Sequence, residues 1–211
     1  MRLPSKTLEK NLFSQGYKKI IAIDEVGMGS LAGPVVVCAI QFNKIFFKKR
    51  HKNLYWLRDS KLLSANQRKN FVTELLKERT FKYKIGYCFP KTIDRMNIYQ
   101  AARLAMRRSV KKLLKSKRYK LKAMALVDGP NKIKGLQLKQ MPIVKGDRKI
   151  FSIACASLIA KVFRDKMMVK YAKRFPNYGF EKHKGYGTKF HRAMLLQYGR
   201  SPIHRNSFRL V

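Results

Sequence analysis

The amino-acid sequence predicts an α/β fold with a mixed central β-sheet flanked by helices. Three observations predict it. Short apolar runs rich in β-branched residues recur along the chain, longer segments with helical spacing lie between them, and turn-forming residues separate the two kinds. Of the 211 residues 45% are hydrophobic, enough for a packed core, and the length suits one large domain or a domain with a small appendage.

The elements follow in order. Lys19 to Ile23 reads as a buried strand. A turn carrying Gly27, Gly29 and Gly33 leads to a second strand over Pro34 to Phe42. Ser64 can cap a helix whose apolar face includes Phe71, Val72, Leu75 and Leu76. Phe81 to Phe89 alternates and reads as a third strand. Asp94 can cap the next helix, a long one from Asn97 to about Lys115 that offers Ala102, Ala105, Met106 and Leu113 for packing. Ala123 to Val127 is a short buried strand ending at Asp128, and Pro142 to Val144 is a candidate fifth. A helix from Ile150 to about Arg174 has a strongly apolar first half. Thr188 to Tyr198 is a final helix, stopped by Gly199 and Pro202. The domain reading is an N-terminal segment 1–16 and one domain over 17–208. Its α/β core runs to about 174, and a C-terminal helical and loop extension covers 175–208.

Lys and Arg number 49 against 11 Asp and Glu, a net charge of +38. That balance points to a polyanion as partner, nucleic acid before an anionic membrane face. The basic residues are spread along the chain, so charge alone is not proof. Cys38, Cys88 and Cys155 form no CxxC pair, which argues against a zinc ribbon, and each lies in an apolar stretch that suits a buried thiol in a reducing compartment. No secretory h-region opens the chain. The uncharged stretch Val26 to Asn43 holds three glycines and Pro34, so it reads as loop plus strand and not as a membrane span. A cytoplasmic protein is the expectation.

With so few acids, their places are informative. Glu74 and Glu78 lie on a polar helix face. Asp24 and Glu25 follow the apolar run IIAI, Asp128 follows AMALV, and Asp147 follows MPIV and precedes an apolar helix. Ligands and chemistry collect at strand carboxyl ends in α/β sheets. Carboxylates gathered there repel one another, and a bound Mg2+ or Mn2+ removes the conflict. Two such ions about 4 Å apart activate a water and stabilise the leaving oxygen of a phosphodiester. For any one of these acids a helix cap or an ion pair to a lysine is the alternative. Asp24 and Glu25 point to opposite sides if the strand is regular, so a local irregularity is expected to bring both to one site.

These residues carry a resemblance. IDEVGMGSLAGPVV closely resembles the signature of bacterial ribonuclease HII, in which Asp-Glu-x-Gly-Arg-Gly is followed by Ala-Gly-Pro. Asp59-Ser60-Lys61, NIYQAARLAMRRSV, Val127-Asp128-Gly129, Lys145-Gly146-Asp147 with SIACASLIAKVFRD, YGFEKHKGYGT and SPIHRNSF match further family elements in order, from about Tyr17 to Phe208. The resemblance implies a ribonuclease H-like fold, a five-stranded mixed sheet flanked by helices with a C-terminal helical extension. It implies endonucleolytic cleavage of RNA in RNA–DNA hybrids and at ribonucleotides embedded in duplex DNA, leaving 5′-phosphate and 3′-hydroxyl ends. The implied metal ligands are Asp24, Glu25, Asp128 and Asp147, the implied cofactor Mn2+ or Mg2+, and the implied state a monomer.

In the family the Gly-Arg-Gly turn senses the 2′-hydroxyl, largely through main-chain atoms. Here that turn is Gly27, Met28 and Gly29, and methionine cannot supply the arginine's contact to phosphate. Reduced but real activity is the expectation. Tyr186 matches the tyrosine that stacks on the sugar next to the cut and helps select a deoxyribose there; a tyrosine packed on the sheet is the alternative. Lys61 and Lys184 are candidate phosphate contacts. Asp165 matches a supporting position, with a helix ion pair to a neighbouring Lys or Arg as an equal alternative. His183, His191 and His204 lack HExxH spacing and read as structural or backbone-binding. A non-catalytic basic RNA-binding protein fits the charge, but acids facing phosphate are costly without metal. Ribonuclease HIII is disfavoured, since the signature begins after about twenty residues and the Gly-Lys-Gly turn is absent.

Overall fold

The computed structural model describes residues 3–49, 51, 54, 57, 60, 63–78, 80–114 and 122–209. Its centre is a five-stranded sheet in the order β3-β2-β1-β4-β5. The strands are β1 (Lys19–Val26), β2 (Val35–Phe42), β3 (Phe81–Cys88), β4 (Ala123–Asp128) and β5 (Lys139–Ile143). β2 runs antiparallel to both β1 and β3, whereas β1, β4 and β5 run parallel, so the sheet is mixed as expected. The fifth strand lies earlier than the sequence reading put it, because Val144 already belongs to the turn that follows.

Each face of the sheet is covered, and the period of two in the strands decides which residue goes where. Ile20, Ala22, Cys38, Ile40, Met124 and Leu126 face α7 (Phe151–Arg174). Ile21, Ile23, Val37, Ala39, Ala125 and Val127 face α5 (Ile98–Leu113). Burial on both sides is why β1 and β4 read as unbroken apolar runs. α5 presents Ala101, Ala102 and Ala105 to the sheet, and small residues let it come close. A Cβ on Gly86 would lie 2.1 Å from the Ala105 carbonyl oxygen, so β3 needs glycine there. Lys82 and Lys84 stand exposed on this edge strand, where charge discourages pairing with a second sheet.

α7 has two halves. From Phe151 to Ala160 every residue is buried, so the helix is apolar all round. Beyond that only Arg164, Met168 and Ala172 stay buried, one residue per turn. That stripe faces the C-terminal extension, whose own core joins Leu31, Ala32, Tyr178, Phe180, Leu195 and Ile203 to Met168 and Ala172. The extension contains a 3-10 turn (Pro176–Tyr178), α8 (Phe180–His183) and α9 (Lys189–Tyr198), the last capped by Thr188 Oγ1 accepting from His191 N–H at 3.2 Å.

Several shorter elements escaped the sequence reading. α1 (Thr7–Ser14) places Leu12 and Phe13 in the α7-side core, and the carboxylate of buried Glu9 accepts from Ser152 N–H at 2.8 Å at the start of α7. α2 (Lys44–Lys48) carries Phe46 and Phe47 into the same core. α3 (Ala65–Lys77) is capped as expected, with Ser64 and Gln67 forming a reciprocal capping box, but Leu76 points to solvent while Val72 and Leu75 are buried. α4 (Pro90–Met96) precedes α5, so Asp94 lies inside a helix and does not cap one. Asn97 caps α5, accepting from Gln100 N–H at 3.0 Å. Asp94 instead accepts from the N–H groups of Asn206 and Ser207, tying the C-terminal segment to α4. α6 (Gly146–Lys149) links β5 to α7. All three cysteines are buried thiols. No helix among the described residues is long and apolar enough to cross a membrane.

Candidate active site

The two aspartates meet because the parallel pairing of β1 with β4 stops just before them. β1 and β4 are parallel with Ile23 opposite Val127, so Asp24 and Asp128 are the next residues along adjacent strands. In the alternation Asp24 continues Ile20 and Ala22, and Asp128 continues Met124 and Leu126, so both side chains leave the sheet on the α7 face. Asp147 reaches the same place from the first turn of α6 and is itself buried. Glu25 follows Asp24 on a strand that stays regular through the pair Val26 and Val36. The irregularity expected from the sequence is therefore absent. Both acids border one space because the cavity wraps around the strand end. It has a volume of about 680 Å³ and is lined by all four carboxylates, by Gly27, Met28 and Gly29, and by Ser157, Lys161 and Tyr186.

The two aspartates are held in place. Asp128 Oδ1 accepts from Gly146 N–H at 2.7 Å. Asp24 Oδ1 accepts from Glu25 N–H at 2.8 Å, and Ser157 also bonds the Asp24 carboxylate. Burial, followed by the charges of Glu25 and Asp128, pushes the Asp24 carboxyl well above the usual carboxylate range, and the bonds from Ser157 and Glu25 only partly oppose this. The pocket therefore carries electrostatic strain that a cation relieves. Among the described residues, no group of three or more His, Cys, Asp or Glu side chains is already arranged to hold a metal ion. The donors share a cavity without being closed into a cage.

The glycine turn is built from beneath by two fully buried arginines that sequence reasoning did not single out. Arg205 donates from Nη2 to the Gly27 carbonyl at 2.6 Å, from Nη1 to Met28 at 2.9 Å and from Nε to Gly33 at 3.0 Å. Arg164 donates to the carbonyls of Pro34, Ala32 and Lys184 and to Ser30 Oγ, all at 2.9–3.0 Å. Each guanidinium satisfies backbone oxygens that would otherwise be buried without a donor. Burial and the charge of Arg164 push the Arg205 guanidinium down, yet it remains charged at neutral pH. Gly27 has φ +92°, and a Cβ there would lie 2.3 Å from Arg164 Nε, so the turn admits only glycine at that position. The Met28 side chain is half-buried against the α5-side core. A signal for Arg164 was present in the sequence, a cation on the apolar stripe Ala160, Met168 and Ala172. Arg205 lies within the matched segment SPIHRNSF, but its spacing does not set it apart among 49 basic residues.

Tyr186 stands at the cavity rim, 36% exposed, with the Arg164 guanidinium 5.5 Å from its ring centre. Lys184 lines a second, basic groove that shares Tyr186, Lys161 and Arg68 with the first. Its Nζ donates to the Glu181 carbonyl, and burial lowers its pKa. Asp165 opens into that second groove and not into the carboxylate cavity; it pairs with Lys161 Nζ at 2.7 Å and with Arg68 Nη2 at 3.8 Å. The helix ion pair, one of the two readings of Asp165, is present. Asp59 and Lys61 lie outside the described residues.

Comparisons with known proteins bear on the family and the fold. The family model described as ribonuclease HII matches residues 21–211. The curated ribonuclease HII of Caldicellulosiruptor saccharolyticus is 41% identical over 201 residues, covering 95% of this chain and 92% of that protein. The crystal structure of ribonuclease H2 from Pyrococcus horikoshii OT3 superposes with a TM-score of 0.71 at 24% identity, covering 91% and 94% of the two chains. The crystal structure of Bst-RNase HIII in complex with Mn2+ gives 0.69 at 17% identity, covering 92% and 68%, and shows the shared fold.

Proposed function

The chain belongs to the ribonuclease HII family, and from that premise we propose that it incises duplexes at embedded ribonucleotides as well as in longer hybrids, with Asp24, Glu25, Asp128 and Asp147 as its catalytic carboxylates. The family assignment makes it a divalent-metal-dependent endonuclease that hydrolyses the RNA of RNA–DNA hybrids. One observation carries the finer reading. Four carboxylates, the Gly27-Met28-Gly29 turn and Tyr186 open into a single cavity.

The donor set fits Mg2+ or Mn2+. It is all oxygen, its members repel one another, and such ions need only one or two carboxylates each beside water. Asp24, Glu25, Asp128 and Asp147 would hold them. When bound, the ions make a water acidic enough to attack phosphorus and offset charge on the departing oxygen. The chain does the rest. Gly146 N–H fixes the Asp128 carboxylate, while Glu25 N–H and Ser157 fix that of Asp24, so the ligand oxygens are set before substrate arrives. A bond forms from the water oxygen to phosphorus as the water gives up a proton to solvent, the bond from phosphorus to the 3′-oxygen breaks, and that oxygen takes up a proton from solvent. The ends are then 5′-phosphate and 3′-hydroxyl.

Recognition of RNA falls to the glycine turn. Its Gly27 and Met28 carbonyls point at Arg205. A trans peptide turns the next N–H the opposite way, so the Met28 and Gly29 amides face away from Arg205. These amides are suited to the 2′-hydroxyl, the group that separates RNA from DNA. Met28 offers no charge-assisted contact, and catalytic efficiency is lowered accordingly. Tyr186 stacks on the neighbouring sugar, and Lys184 and Lys61 are the proposed phosphate contacts. The enzyme acts as a monomer in the cytoplasm.

The test is cleavage of two labelled duplexes, one with a single ribonucleotide and one with a long RNA stretch, under Mg2+ and under Mn2+. Wild type cuts both, and Asp128→Asn cuts neither at a measurable rate. Undiminished cutting by Asp128→Asn removes that residue from the catalytic set, and intact duplexes with wild type under both metals refute the enzymatic reading.

A further inference from the structure

Three of the four histidines crowd around the loop that carries Tyr186, and nothing above uses them. Their backbone partners fix their protons. His204 Nδ1 lies 2.8 Å from both the Ser201 N–H and the Ser201 hydroxyl; the hydroxyl can donate or accept but the N–H can only donate, so that nitrogen accepts and the neutral ring carries its proton on Nε2. At the other end the Tyr186 carbonyl can only accept. His191 Nδ1 lies 3.0 Å from it, so that nitrogen is protonated and His191 Nε2 is left as an acceptor. The two Nε2 atoms face each other at 3.0 Å, the N–H of His204 meeting the lone pair of His191. A single arrangement of protons satisfies the whole chain from Ser201 to Tyr186.

His183 is fixed in the same manner. Its Nδ1 accepts from Gly185 N–H at 3.2 Å, and its Nε2–H donates to the Tyr178 carbonyl at 2.7 Å. Its ring stacks on that of His191, 4.3 Å between centres and 18° apart in plane. An extra proton on His191 or His204 would set two N–H groups against each other, and one on His183 would oppose the Gly185 amide. The charged groups near the trio are Glu181 and Lys184 beside His183, Arg192 beside His191 and Arg200 beside His204, with the phenol of Tyr178 packed on His204. Burial, ahead of these charges, pushes His191 and His204 down to about 4. The rings are therefore neutral at working pH.

We propose that His183, His191 and His204 are positioning residues, a tautomer-locked brace that fixes residues 183–188 and thereby sets the Tyr186 ring at the mouth of the catalytic cavity. His191 clamps the peptide that follows Tyr186 through its carbonyl. The peptide that precedes Tyr186 is held by main-chain bonds instead, its N–H to the His183 carbonyl at 3.0 Å and its Gly185 carbonyl to Leu31 N–H at 2.8 Å, so the imidazole clamp acts on the peptide that follows the tyrosine. Among the described residues the other bond to the Tyr186 carbonyl, from Thr188 N–H at 2.9 Å, is local to the loop. The functional half of this inference rests on the reading of Tyr186 as the residue that stacks on the sugar beside the cut.

Two experiments test it. Long-range 1H–15N spectra of the imidazoles in the whole enzyme read the tautomers directly. Nδ1–H is expected for His191 and Nε2–H for both His183 and His204, and any other pattern overturns the brace. The second measures the ratio of kcat/KM at an RNA–DNA junction to that inside an all-RNA stretch. His191→Leu should lower this ratio about fivefold, the scale of one lost hydrogen bond, and add nothing in a Tyr186→Ala background. His191→Asn, whose amide restores a donor to the Tyr186 carbonyl, should keep the ratio within about twofold of wild type. If His191→Leu lowers both rates equally, or if its effect on the ratio adds to that of Tyr186→Ala, the histidines are merely structural and the proposal fails. If Tyr186→Ala itself leaves the ratio unchanged, the reading of Tyr186 fails and takes the functional half with it, while the spectra still decide the proton pattern.

Discussion

Gly27→Ala tests whether the turn is held as described. The new Cβ would lie 2.3 Å from Arg164 Nε and 2.9 Å from the Pro34 carbonyl, on a backbone with φ +92°. The left-handed conformation costs a non-glycine residue about 1–2 kcal/mol. Arg164 must move, giving up its 2.9 Å bond to Pro34, and a bond from a charged donor is worth about 1.5–3 kcal/mol. The expected loss is thus about 2.5–5 kcal/mol, and at about 2–4 °C per kcal/mol for a chain of this size the melting temperature falls by roughly 5–20 °C. Gly29→Ala is the control. Nothing lies within 4 Å of its Cβ and its φ is not positive, so stability should stay within about 0.5 kcal/mol of wild type. Thermal unfolding followed by circular dichroism, without metal, measures both. A Gly27→Ala protein melting within about 2 °C of wild type, or a Gly29→Ala protein falling as far, would refute the reasoning.

Two further outcomes are expected. Met28→Arg restores a charge-assisted phosphate contact and should raise kcat/KM on the single-ribonucleotide duplex about tenfold or more; an unchanged value shows that the side chain plays no such part. For Asp94, burial acts to raise the pKa, but the donors on Ser207 and Asn206 outweigh it and the net shift is below 3.8. Its contribution is therefore present above that value and lost as the pH falls through the lower, folded-state value. The urea midpoints of wild type and Asp94→Ala should differ at pH 6 and converge toward pH 3, and a gap that widens in acid contradicts this sign.

Much of the site was legible because strand ends announce it. Asp24 and Asp128 each close an apolar run, and the parallel pairing of β1 with β4 then makes them neighbours. What the sequence did not disclose depends on tertiary partners. Glu25 was expected to need a break in the strand, and the ladder is unbroken, because a strand has no sequence mark for where a cavity wraps around it. Asp94 has the spacing of a helix cap, but Asn97 takes that role and Asp94 binds residues more than a hundred positions away. The helices α1, α2 and α8 are too short to show a period and form through contacts of residues such as Phe13, Phe46 and Phe180. Arg205 acts through three carbonyls contributed by one distant loop, and backbone acceptors leave no trace in composition.

The most direct test is a Mn2+ titration of the melting temperature for wild type and Asp24→Asn. The substitution removes a buried charge crowded by Glu25 and Asp128, and the new amide oxygen can still accept from Glu25 N–H, so without metal the variant should be the more stable protein. Saturating Mn2+ at about one hundred times its Kd should add about 2.7 kcal/mol to wild type and little to the variant. The two curves should therefore cross. If wild type gains nothing from Mn2+, or if the variant gains as much, the carboxylate pocket does not hold the cations and the account is contradicted.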